Sequence, residues 1–260
     1  MTGGFFGVSL PHVSATQNVE TGGQTVATFS GLWASFWDWL ELHPASTFLF
    51  RGQADKSPIV PKIGRRVYDY APARERDSHN AFVRAARPFL SMPLTSAWEW
   101  LALARHHGAP TWLTDWSTSP LVAAWFAVTS YPELTDAAIF ALDLNGAVET
   151  IDITTGLSAN GARFDDPFAI KKGVYLIETA PVSARITTQR GIFSDHGNPT
   201  AALPIPTADT FDIPNTFRGE FQGRLLDLGI DASHTFPDLD GLCKTLDWKL
   251  KSGRGFSAIT

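Results

Sequence analysis

The chain has 260 residues, 44% of them hydrophobic and 18% charged, the make-up of an ordinary globular protein rather than a disordered or fibrous one. With 26 Asp and Glu against 21 Lys and Arg the net charge is −5, which argues against broad binding to a phosphate backbone and leaves only a local basic groove open. The single cysteine, Cys243, excludes an internal disulfide and a cysteine-rich zinc site. No stretch approaches the ~18 apolar residues of a membrane span, and residues 1–11 lack the basic and apolar regions of a secretory signal, so a soluble, cytoplasmic protein is expected.

Residues 1–28, rich in Gly, Thr and Ser, read as a loose arm ahead of one domain over 29–260. Leu32, Trp33, Phe36, Trp37 and Leu40 form a helical stripe, with Ser30 placed to cap its first turn. Residues 47–50 are a short β-prone run that delivers Arg51-Gly52 at its end, and a second, more polar helical region follows near 75–89. Ser96 and Glu99 have capping-box spacing and start a helix that Gly108 and Pro110 stop. Ser119-Pro120 starts another helix, 121–128, apolar nearly all round and therefore buried. After Pro132 the pattern turns to short strands at 137–142, 173–178, 185–189 and 210–213, closed by helices near 217–228 and 238–251. A helix-rich first half and a strand-rich second half predict a single α+β domain with a mixed or antiparallel sheet.

Chemistry-bearing residues concentrate between Arg105 and Pro120, where two histidines, an aspartate and several hydroxyls lie between two helix signals. Five of the nine tryptophans fall between Trp98 and Trp125, so Trp116 and Trp125 also read as core, and Ser119 as a helix cap. Adjacent His106 and His107 point to different faces and make a poor bidentate metal site. Instead, one of them, His107 by preference, could serve as a general acid or base oriented by Asp115, or simply cap the end of its helix. Arg51 reads either as a ligand-binding cation or as an ion-pair partner of Asp115, and Lys62, Arg65 and Arg66 either as a solvated face or as a contact for a phosphate-bearing partner. There is no P-loop, no Gly-x-Gly-x-x-Gly, no zinc spacing and no nucleophile elbow.

The order Phe50-Arg51-Gly52-Gln53, Trp98-Glu99-Trp100-Leu101, residues 106–111, Asp115-Trp116-Ser117, Pro120 and Phe126-Ala127 resembles the FRG domain family. Later blocks around Arg185, Gln189, Gly191, Phe193 and residues 236–242 look similar to it as well. Arg105, Trp112 and Thr114 depart from the family pattern, which has glutamine, arginine and leucine at those places.

A second likeness is to ADP-ribosyltransferases, through an arginine at the end of an early strand, then Ser117-Thr118-Ser119, then the helix from Ala123 to Ala127. That resemblance implies a split sheet and NAD as substrate. Arg51, beside Gly52 and Gln53, would grip the pyrophosphate with its bidentate fork, while Ser117, Thr118, Thr111 and Trp116 would shape the pocket and Ser119 would join the catalytic set. A carboxylate would stabilise an oxocarbenium-like transition state, but the corresponding block offers Gln189, which has no charge. Glu178, Glu220 and Asp115 are the substitutes at hand.

The expected function is accordingly an NAD-consuming transferase or glycohydrolase, with no metal, acting on a nucleotide-like molecule; the resemblance suggests a toxin or phage-defence setting. One alternative is a nucleic-acid-processing enzyme using His107 and Asp115. Another is a non-catalytic ligand- or protein-binding module, and Gln189 is its best support.

Overall fold

The computed structural model describes residues 28–90, 93–145, 149–152, 156–158, 161–169, 173–178 and 188–255. Of the expected N-terminal arm only Thr28 falls within them. Its side chain accepts from the Gly31 amide at 3.2 Å and caps α1 (Phe29–Leu42), a role expected of Ser30. The helix starts earlier because Phe29 itself is an anchor, its ring meeting Trp33, Phe217 and Phe221.

β1 (Phe48–Gln53) follows, then α2 (Pro72–Ala86), which opens on a proline at its first turn. α3 (Ala97–His106) carries the complete capping box: Ser96 accepts from the Glu99 amide, and the Glu99 carboxylate accepts from the Ser96 amide at 2.9 Å. β2 (Thr114–Ser117) leads into α4 (Pro120–Thr129), capped by Ser119 and buried over most of its surface. The second half supplies β3 (Ala137–Asp143), β4 (Glu149–Asp152), β5 (Leu157–Ser158), β6 (Tyr175–Glu178), β7 (Gly191–Asp195) and β8 (Thr210–Ile213). Three helices end the chain: α5 (Arg218–Asp227), α6 (Ala232–Thr235) and α7 (Leu239–Lys251).

The strand expected at 185–189 is displaced. Residues 185–187 lie outside the described ones, 188–189 are helical, and the strand begins only at Gly191. Arg190 between them has φ +47, a left-handed turn that ends one element before the next starts.

All described strands join one sheet in the order β5-β4-β6-β7-β2-β1-β3-β8, antiparallel except for β4 with β6. The split sheet implied by the ADP-ribosyltransferase likeness thus appears here as one continuous ladder. Alternation along β1 sends Phe50 into one core layer, with Phe36, Trp39, Ala123, Ile139 and Phe221, and sends Leu49 into the opposite layer with Trp116, Ala138 and Phe140. A third cluster joins α3 to the far side of the sheet through Trp98, Leu101, Leu113, Ile177 and Phe193. The chain is a single α+β domain, helix-rich first and strand-rich later.

Candidate functional site

Three adjacent strands carry the site. β2 lies between β1 and β7, with Phe50 opposite Ser117 and Ser117 opposite Gly191. Arg51, Ser117 and the Gln189 turn, up to 138 positions apart in the chain, are thereby brought together at neighbouring strands of one sheet. Gly52 permits α4 to lie directly on β1: a Cβ there would overlap the Ala123 carbonyl and the Ala127 amide.

Two clefts meet along this edge. The smaller, about 300 Å³, is walled by Phe50, Trp116, Ala123, Phe126 and Phe236, with Arg51, Arg105, His106, Asp115, Ser117 and Gln189 as its polar groups. The larger, about 890 Å³, is bordered by Gln53, Ser57, Arg65, Arg66, Tyr131 and Thr200. Arg51, Gly52 and Ser130 belong to both, so the Arg51 guanidinium stands at their junction.

Arg51 is largely buried, 14% exposed at its side chain, and donates to the Asp115 carbonyl at 2.8 Å with the Asp115 carboxylate 3.7 Å away. The same carboxylate oxygen pairs closely with Arg105. Two guanidiniums thus share one carboxylate, and Arg65 adds a third positive charge to the neighbourhood. Burial, only partly offset by Asp115 and reinforced by Arg105 and Arg65, pushes the Arg51 pKa down to about 10. The guanidinium remains charged at neutral pH, held in a place that an additional anion would stabilise.

The remaining expected residues divide sharply. Ser117 donates to the Gln189 carbonyl at 2.7 Å and accepts from the Ser119 amide at 3.0 Å, so it ties the β2 exit to the turn before β7. Gln189 is itself clamped, its side-chain amide donating to the Thr235 carbonyl at 3.0 Å. Ser119 caps α4, Thr118 bonds the Arg190 carbonyl through its amide, Thr111 is buried beneath the neighbouring loop, and none of the three borders either cleft. Trp116 is a core residue whose inner face reaches the smaller cleft. His107 is exposed at the end of α3, and the histidine bordering the cleft is His106. Glu178 and Glu220 are exposed and border neither cleft, which leaves Asp115, among the described residues, as the one carboxylate lining the smaller one.

Behind Arg51 lies a polar layer that sequence reasoning missed. Trp116 donates its indole N–H to Ser194 Oγ at 2.8 Å, and Ser194 Oγ lies 2.8 Å from His196 Nε2. Ser194 Oγ thus links the Trp116 indole to the His196 ring, and the direction of the second bond follows the histidine tautomer. Burial, and then the Arg51 charge, push His196 down to about 4, so it is neutral. Deeper still, burial raises Glu75 to about 8 and Asp195 to about 6, and each carboxylate has one buried oxygen without a hydrogen-bond partner. Among the described residues no group of three or more His, Cys, Asp or Glu could hold a metal ion, and no helix is long and apolar enough to cross a membrane.

The family model of the FRG domain matches residues 46–135, the stretch that runs from the start of β1 past α4 and supplies Arg51, Arg105 and Asp115. This chain carries an FRG domain. Comparison with curated proteins and with solved structures returns no match. The FRG segment contributes the β1 and β2 walls of the smaller cleft, and Gln189, Gly191 and Phe236 close it from beyond the matched residues.

Proposed function

We propose that this chain binds NAD and breaks its nicotinamide–ribose bond, as a transferase or a glycohydrolase. The observation that carries the reading is the position of Arg51: a desolvated guanidinium at the junction of a small cleft bordered by Phe126 and Phe236 and a larger one bordered by Arg65 and Arg66. A pyrophosphate flanked by two nucleoside halves matches that layout, because its negative charge falls where the two clefts meet and guanidinium forks favour phosphate oxygens. The half-buried rings of Phe126 and Phe236 suit the flat nicotinamide, and Arg65 and Arg66 border the cleft left for the other half.

In this reading Asp115 takes the part that Gln189 cannot. Gln189 is neutral and clamped to Thr235, whereas Asp115 is 41% exposed at its side chain and borders the cleft. A pyrophosphate engaging Arg51 and Arg105 weakens their hold on Asp115, whose negative charge then faces the ribose as positive charge develops on it. The C–N bond breaks with its electron pair leaving on nicotinamide, and water or an acceptor nucleophile takes the ribose carbon. A toxin or phage-defence role belongs to the same proposal.

The experiment is nicotinamide release from NAD by the purified chain, beside Arg51→Ala and Asp115→Asn. Release that falls at least about 100-fold in both variants is the expected result, the scale of removing one preorganised charged contact. Absence of release together with absence of NAD binding by calorimetry would refute it. A second reading, a non-catalytic binding module, is favoured by the clamped Gln189; NAD binding without turnover would select it. For a nucleic-acid-processing site no observation speaks, since His107 is exposed and borders neither cleft.

A further inference from the structure

Beyond the Arg51 junction, the larger cleft holds more positive charge than a pyrophosphate needs. Arg51, Arg65 and Arg66 all border it, and among the described residues the one carboxylate that does so is Asp55, which accepts from the Ser57 amide at 2.9 Å. Arg51 already shares Asp115 with Arg105. Arg65 and Arg66 have no such partner: both are exposed, and neither side chain forms an ion pair or hydrogen bond among the described residues. Arg65 is nonetheless close enough for its charge to act on the Arg51 guanidinium. In a chain with a net charge of −5, three guanidiniums on one concave surface make a local field that draws anions.

The segment that presents the two arginines is anchored on both sides. Lys62–Gly64 and Arg66–Tyr68 are single 3-10 turns. Ile63 is buried and its amide donates to the Thr111 carbonyl at 3.4 Å, while Lys62 Nζ donates to the Gly108 carbonyl. Gly64 is pressed on the opposite loop: a Cβ there would overlap the Pro199 carbonyl, and Thr200, next in that loop, borders the same cleft. The backbone beneath Arg65 and Arg66 is therefore held at the rim, and the freedom that remains is the reach of their side chains.

We propose that the dinucleotide taken by this site carries a third phosphate on its adenosine half, as NADP does, and that Arg65 and Arg66 receive it. The inference rests on the reading of Arg51 as the pyrophosphate site. With the pyrophosphate at Arg51 and the nicotinamide against Phe126 and Phe236, the adenosine half enters the larger cleft, whose rim carries the two arginines. At about 890 Å³ that cleft lies at the upper end of the ~300–1,000 Å³ usual for small-molecule sites, ample for a phosphorylated adenosine. A phosphate monoester is close to doubly charged at neutral pH and offers several acceptor oxygens, which two guanidinium forks satisfy better than one. The third phosphate is remote from the bond that breaks. It adds binding and leaves the chemistry as given above, with the C–N electron pair departing on nicotinamide.

Titration calorimetry with NADP and with NAD, at low salt, tests this on the unaltered chain and on the double variant Arg65→Ser with Arg66→Ser. NADP should bind the unaltered chain at least about tenfold more tightly, the least expected of one hydrogen bond to a charged group. In the double variant the two dinucleotides should bind alike. Because the ratio is taken within one preparation, a general loss of folding or of pyrophosphate binding cancels from it. In nicotinamide release the preference should appear in KM with kcat unchanged, as for a contact remote from the reacting bond. Raised salt should shrink it, since both arginines are exposed. Equal binding of NAD and NADP by the unaltered chain overturns the third phosphate and leaves the pyrophosphate reading standing. A preference for NADP that survives in the double variant overturns the roles of Arg65 and Arg66. If neither dinucleotide binds, the reading of Arg51 fails and this one with it.

Discussion

Replacing Arg218 with alanine should destabilise the fold more than any other single change to a charged residue outside the clefts. The Arg218 guanidinium donates to six carbonyls, those of Ala54, Ala127, Val128, Ser130, Pro132 and Thr135, at distances from 2.6 to 3.5 Å. Ala127 and Val128 belong to the last turn of α4, whose carbonyls have no partner within the helix, and the others lie in the loop after it and at the exit of β1. One side chain, 4% exposed, therefore laces together three segments that border the clefts. Hydrogen bonds to a charged group contribute ~1.5–3 kcal/mol each at most, but several of these carbonyls would find water once the guanidinium is gone. A net loss of about 3–5 kcal/mol is expected for Arg218→Ala, a large fraction of the ~5–15 kcal/mol that holds a typical domain together. Arg218→Lys keeps the charge but has only three donors and no planar fork, so about half that loss should remain. Urea unfolding followed by circular dichroism measures both, with an unchanged slope showing that the unfolded state is the same. A loss below about 1 kcal/mol for Arg218→Ala would refute the lacing argument.

Two further outcomes follow from buried groups. Glu75, raised to about 8 by burial, is bound in the folded state as the neutral acid; its contribution is full below its ordinary pKa near 4.5 and is lost as pH climbs through 8. Glu75→Gln should therefore match the unaltered chain near pH 4.5 and gain on it by up to about 1.4 kcal/mol per pH unit across that window, read as urea midpoints; a difference that does not move with pH would contradict this. Gly52→Ala drives a methyl into the backbone of α4, which cannot yield as a side chain would, so a loss of at least about 2 kcal/mol in thermal or urea unfolding is expected, and a neutral result would mean that α4 can move off β1.

The parts of the fold governed by short-range rules were legible in the sequence. The Ser96–Glu99 capping box, the Ser119-Pro120 start, the apolar α4 and the β1 run ending in Arg51-Gly52 all stand where those rules put them. Arg51 and Asp115 do meet, as the ion-pair reading has it, whereas His107, expected to join them, is exposed and borders neither cleft. Illegible were the polar residues whose burial is decided by distant packing: Glu75, Asp195, His196 and Arg218 carry the side chains of solvated surface and give no periodic signal. Arg105, noted only as a departure from the family pattern, turns out to share Asp115 with Arg51. His106 and His107 differ by one step of about 100° around α3, and only the seating of that helix on the sheet selects between them. The block holding Gln189 was placed in a strand because nothing local announces the left-handed Arg190 that ends it.

The FRG-matched segment stops at residue 135, while the sheet on which it sits does not. Within the segment β1 and β2 pair with each other, but the outer rung of β1 is filled by β3 and that of β2 by β7, both supplied later in the chain. Severed at its recognisable limit, the segment would present two bare sheet edges to any passing strand, the circumstance that leads to aggregation. What is inherited as a signature is therefore smaller than what must be inherited to fold. The far wall of the cleft, made by Gln189, Gly191 and Phe236, is thus built by residues that the signature does not include.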